Sequence, residues 1–296
     1  MNIKIISSLI SLLTTCFVCS ASEFTILPQY VVGDTIKYRT TALVTMYHKN
    51  DSLVSTTELL PELIVEEKKD KGFIVKTINK LESFQLECSD PKSKKELMLL
   101  DKTEYLNDFV ASMMLRIRLG EDCRPDSILN IDEVKDSILK AYIKMFVKVQ
   151  GIDIENSAEW KMDTKPLLTA TVSMMYTPKH LIEEQFGNLP YFNFIGIPLK
   201  SGIIPASMVL TDELQEMCPG LTELNMEINH TEDDLEHGVG PEDGMYTIRI
   251  HGKKDTSEVE SLLLYAAGIL NHGILSVKTK SENGILSSSF IIDILK

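Results

Sequence analysis

Apolar and polar residues alternate at both ends of the chain, and the period of two predicts strands. Over residues 36–47, Tyr38, Ala42, Val44 and Met46 fall on one face, and Lys37, Arg39, Thr41 and Thr45 mostly on the other. Asn50-Asp51 reads as a tight turn, and residues 53–66 return. A two-residue loop there sets Tyr38 opposite Leu63, Ala42 opposite Leu59 and Arg39 opposite Glu62. Pro61 lacks an N–H, so the return strand is an edge or is bulged at that point. Asp70-Lys71-Gly72 turns again and residues 73–81 form a third strand, which makes the opening an antiparallel meander. At the far end, Asn283-Gly284 is a strong hairpin signal, because both residues tolerate positive φ. That register pairs Val277 with Phe290 and Leu275 with Ile292, and on the other face Lys278 with Ser289 and Lys280 with Ser287.

The middle is mixed. Residues 94–114 have helical stretches, 114–119 alternate like a short strand, and 120–127 read as a polar loop. Asn130 with Glu133 forms a capping box ahead of a helix striped by Val134, Ile138, Ala141, Met145 and Phe146. A second helical zone covers 163–186 and restarts at Thr177-Pro178. Residues 188–209 are rich in Pro, Gly and aromatics and read as irregular but buried. Strands are expected at 223–228 and 245–251, around an acidic loop at 232–243, and a helix at 257–270. No repeat or linker divides the chain. The expected class is α+β: a curved, mainly antiparallel, half-barrel-like sheet with helices packed on one face, forming one domain over 22–296.

The first 21 residues have another character. Lys4, a short apolar run from Ile5 to Val18 and the small residues Cys19-Ser20-Ala21 match a secretory signal peptide cut after Ala21. The run is too short to span a bilayer as a helix. A lipid anchor fits less well, because Thr15 and Val18 precede the two leader cysteines. The expected location is periplasmic or extracellular, with no transmembrane segment in the mature chain.

Composition narrows the partners. Lys and Arg total 30 against 43 Asp and Glu, a net charge of −13 without a basic block, which argues against nucleic acid. Of the three cysteines beyond the leader, Cys88 and Cys123 are the pair expected to form any disulfide, leaving Cys218, and three free cysteines are the equal alternative. There is no nucleophile elbow, P-loop, dinucleotide fingerprint or H-E-x-x-H, so no catalytic residue is assigned and no cofactor is expected. The string from His230 to His237 has two imidazoles and four carboxylates, but a solvated acidic loop produces the same pattern, and no metal is assigned. Asn50-Asp-Ser52 and Asn229-His-Thr231 match the glycan acceptor and read as polar turns.

One segment concentrates soft and aromatic side chains: Met174, Met175, Tyr176, Phe186, Tyr191, Phe192 and Phe194. Such groups adapt to irregular apolar ligands, and they also make ordinary core. They are the candidate ligand-binding residues.

Gly33-Asp34 opening the first long strand, residues 129–133 leading into a helix, and the terminal hairpin give a layout that resembles LolA-like periplasmic carriers. It also resembles uncharacterised exported proteins of the Bacteroidetes. The first resemblance implies a curved sheet closing over helices and holding acyl chains; it carries no individual residue across. The expected function is an exported, non-enzymatic protein binding a lipid-like ligand or an envelope protein in a concave sheet. The alternative is an envelope interaction or structural protein with a filled core and no small ligand. A hydrolase built from distant residues has no positive signal.

Overall fold

The structure is a computed structural model, describing residues 24–48, 51–90, 103–150, 164–186, 189, 191–231, 245–282 and 284–295. The class is α+β, and the sheet pairs antiparallel throughout. In chain order the strands are β1 (Phe24–Thr25), β2 (Thr35–His48), β3 (Asp51–Leu59), β4 (Glu62–Lys69), β5 (Gly72–Ile78), β6 (Leu81–Cys88), β7 (Leu115–Leu119) and β8 (Pro125–Ile128). After them come β9 (Pro198–Leu199), β10 (Gly202–Pro205), β11 (Glu223–Thr231), β12 (Met245–Lys254), β13 (Ser257–Ala266), β14 (Ile269–Ser281) and β15 (Gly284–Leu295). The helices are α1 (Thr103–Ser112), α2 (Ile131–Gln150), α3 (Lys165–Met175), α4 (Pro178–Glu184) and α5 (Asp212–Met217).

The large sheet is open and runs β10-β11-β12-β13-β14-β15-β2-β4-β5-β7-β8. It forks at β2. Residues 35–37 of β2 pair with β4, whereas residues 40–48 pair with β3, which carries β6 on its other edge. Leu60-Pro61 makes the fork. Pro61 cannot donate, so the chain leaves the ladder there; its carbonyl accepts from Tyr38 N at 2.8 Å, and Leu60 N donates to the Lys80 carbonyl.

Both hairpins sit two residues from the expected register. His48 pairs with Asp51 and Ser281 with Gly284, so the loops are 49–50 and 282–283, each one position earlier than expected. Thr40 faces Leu59, Lys37 faces Glu62 and Leu275 faces Phe290. A shift of two keeps every side chain on its expected face. Gly284 therefore opens β15 and does not lie in the turn, and it keeps a positive φ of 158°.

Five other expectations are corrected. Residues 257–270 form β13 and the start of β14, not a helix: Ser257, Val259, Ser261, Leu263 and Tyr265 point inward with a period of two. The loop at 120–127 contains most of β8. Asn130 does not cap α2 with its side chain; Oδ1 accepts from Arg116 N at 2.8 Å and Nδ2 donates to the Met114 carbonyl, tying the helix start to β7. Asn229–Thr231 lies in β11, not in a turn. Cys88, Cys123 and Cys218 are free thiols, so the Cys88–Cys123 disulfide is not formed: Cys88 ends β6, while Cys123 occupies the β7–β8 turn. Residues 1–23, Met145 and Phe146 of the expected stripe as side chains, Asn50, and the acidic loop lie outside the described residues.

Candidate functional site

Burial along β2 locates the site. Ile36, Tyr38 and Thr40 are buried, Ala42 and Val44 are half-buried, and Met46 is 47% exposed, all on the same face. One strand thus crosses from a covered half of the sheet to an open half.

The cover is the segment expected to line a ligand. Phe186 and Tyr191 stack at 4.1 Å between ring centres, and Tyr38 meets both edge-on, at 6.0 and 5.5 Å. Phe192 packs edge-on against Phe186 and Tyr191, and the Tyr38 and Tyr191 hydroxyls are 2.9 Å apart. Phe194 is fully buried beside them. Gln185 pins this aromatic plug to β5. Its carbonyl oxygen accepts from Thr77 and Asn79, and its amide donates to the Met113 carbonyl. The N-terminal stretch locks the other end, where Gly196 N donates to the Ile26 carbonyl at 2.9 Å.

The seven candidate residues therefore separate. Phe186, Tyr191, Phe192 and Phe194 form the plug. Tyr176 is buried between helices, its hydroxyl 3.0 Å from that of Tyr142 and its ring against Phe109. Met174 and Met175 are 71% and 49% exposed on α3. Sequence reasoning missed Gln185, because one amide in a helical stretch has no linear signature.

Electrostatics agree with a closed interior on the plugged side. Burial pushes the Tyr191 phenol up to about 12, although its hydrogen bond with Tyr38 opposes this. Burial likewise holds Tyr30, Tyr38 and Tyr265 well above the ordinary phenol value. It also raises the Cys123 thiol to about 11, helped by Asp122. These groups are neutral structural members at physiological pH.

On the open side three cross-strand rows continue the same face from β15 outward. Phe290, Ala42, Thr57 and Phe84 form one; Ser288, Val44, Ser55 and Leu86 the next; Leu286, Met46, Leu53 and Cys88 the third. Phe290 and Ser288 are buried, and the side chains beyond them on β3 and β6 are only half-buried. This trough is mostly apolar, with the hydroxyls of Ser55, Thr57 and Ser288 among its rows and no charged side chain. The opposite face of the same arm is more polar, with Thr41, Thr45, Thr56 and Glu58 beside Leu43 and Tyr47. Among the described residues no cluster of His, Cys, Asp and Glu forms a metal site, and no helix is long and apolar enough to cross a membrane.

No protein-family model and no curated protein matches the chain. Among solved structures, lipovitellin, described for its lipid–protein interactions, matches 90% of this chain at 8% identity and a TM-score of 0.42; the chain spans 26% of its length. The COG4313 outer membrane channel from Pseudomonas putida F1 matches 90% of this chain and 97% of its own at 8% identity and a TM-score of 0.21. Both likenesses are too slight to bear on fold or ligand.

Proposed function

We propose that this chain is an exported, non-enzymatic protein that holds an apolar, lipid-like ligand on the open half of its covered sheet face. One observation carries the reading: after the plug has ended the inward rows keep Ala42, Val44, Leu53, Phe84 and Leu86, interrupted by the hydroxyls of Ser55, Thr57 and Ser288 but by no charge. Apolar area left in water costs roughly 25 cal/mol per Å², so a row of such side chains favours an apolar occupant. The LolA-like layout supports the same reading. So does the leader at 1–21, whose removal places the protein in the periplasm or outside the cell. N-terminal sequencing of exported protein should start near Ser22; retention of Met1 would overturn export.

The plug favours a second reading, an envelope interaction protein with a filled core. A titration with a fluorescent fatty acid separates the two. Wild type should take up the probe. Leu86→Asp and Phe84→Asp should lose uptake yet still melt cooperatively near the wild-type temperature. A wild type that ignores the probe would leave the interaction protein as the better description.

A further inference from the structure

Four tyrosines gather where the sheet, the plug and the N-terminal stretch meet. Tyr38 comes from β2, Tyr265 from β13, Tyr191 from the plug and Tyr30 from the stretch between β1 and β2. That stretch is laid over the sheet at two points. The Leu27 carbonyl lies against Gly268, in the turn just after Tyr265, and the Cys123 thiol stands 3.8 Å from the Pro28 carbonyl. Tyr30 follows two residues later, its ring edge-on to Phe73 at 5.7 Å. Burial is the largest cause of the raised phenol values, and a charge on Tyr191 would raise Tyr30, Tyr38 and Tyr265 alike, so these three lie around it.

The hydrogen bonding of this group is incomplete. All four side chains are buried, at 6% exposure or less. The Tyr38 and Tyr191 hydroxyls pair at 2.9 Å, but those of Tyr30 and Tyr265 meet no protein partner. A hydroxyl taken out of water and given nothing in return destabilises the fold, and native interiors rarely keep one. Phenylalanine would retain each ring and remove the penalty, yet both positions hold tyrosine. A guest that both donates and accepts satisfies such hydroxyls, and a buried water with two to four polar partners does so. An ion would need a counter-charge, and no charged side chain is buried among the described residues.

We propose that an ordered internal water occupies this joint, hydrogen-bonded to the hydroxyls of Tyr30, Tyr265 and Tyr191. It ties the N-terminal stretch to the sheet and to the plug, and it is closed off from bulk solvent. The site is separate from the trough and does not depend on the lipid reading.

Tyr30→Phe, Tyr265→Phe and the double variant test this in the full chain without any ligand. If the hydroxyls share a water, each single change should lower the folding equilibrium constant by roughly fivefold, the scale of one hydrogen bond. The double variant should lose less than the product of the two, because both changes remove bonds to the same molecule. Water-oxygen magnetic relaxation dispersion should show one fewer long-lived water in the double variant than in wild type. Phenylalanine variants as stable as wild type or more so, losses that simply multiply, or an unchanged number of long-lived waters would overturn the proposal.

Discussion

The plugged and open halves of the sheet share strands and share a binary pattern. Tyr38 and Val44 both occupy inward positions of β2, but Tyr38 is closed over by Phe186 and Tyr191, while Val44 is half in solvent. Period-two alternation reports which face a side chain takes and says nothing about what covers that face. In this chain the cover comes from Phe186, Tyr191, Phe192 and Phe194, far away in sequence, fixed by Gln185 and by the Ile26 carbonyl. The difference between the halves is one of tertiary cover, not of strand chemistry.

Truncation should show the contrast most strongly. Phe186→Ala should cost about 3–5 kcal/mol, as removal of a buried ring does. Leu86→Ala, on a half-exposed strand, should cost under about 2 kcal/mol. Denaturant melts of the two variants check this, and equal losses would mean the open half is packed as tightly as the plugged one.

Alkaline pH acts on the plugged half next. Tyr30, Tyr38, Tyr191 and Tyr265 stay protonated in the folded chain above the ordinary phenol value of 10, where unfolded tyrosines ionise. Stability from these groups is therefore complete below pH 10 and is lost as pH rises through the folded values, about 12 for Tyr191. Each phenol should contribute a slope of about 1.4 kcal/mol per pH unit in that window. Phenolate absorbance should rise in step with unfolding; gradual ionisation of all tyrosines in folded protein would show that the plug admits water.

Two glycines sharpen the comparison on a smaller scale. Gly268, at φ 74°, has its Cβ position 2.3 Å from the Leu27 carbonyl, where the N-terminal stretch is stitched to the plugged half. Gly268→Val should destabilise by more than the roughly 1–3 kcal/mol of a strained backbone site. Gly284→Val, at φ 158° at the start of β15, should cost less. Similar melting temperatures for both would refute the assignment of strain.

The mildest test is chemical. Cys88 is half-buried at the outer end of the trough, whereas Cys123 and Cys218 are buried. A thiol reagent near pH 8 should label one cysteine quickly and the other two only on unfolding. Fast labelling of Cys123 would contradict its burial and its raised pKa.

Much of the sheet was legible in the sequence, because inward positions such as Leu275, Val277, Phe290 and Ile292 alternate strictly. The hairpin registers slipped by two because Asn suits either position of a two-residue loop, so turn chemistry alone does not choose between 282–283 and 283–284. β13 was misread because Ser257 and Ser261 occupy inward positions and disguise the period. The candidate site was legible only as composition. Aromatic richness at 186–194 marked an important segment, but ring stacking, and with it the role of plug, depends on contacts with Tyr38 some 150 residues away. The trough had no signal of its own, since its strands read like every other strand.

Hydrogen–deuterium exchange with and without hexadecanoic acid tests the division of roles most directly. Added ligand should slow exchange in peptides covering 42–46, 53–57 and 84–88, and leave those covering 185–195 unchanged. Protection confined to 185–195, with no change in β3 and β6, would contradict it and return the aromatic segment to the role of ligand lining.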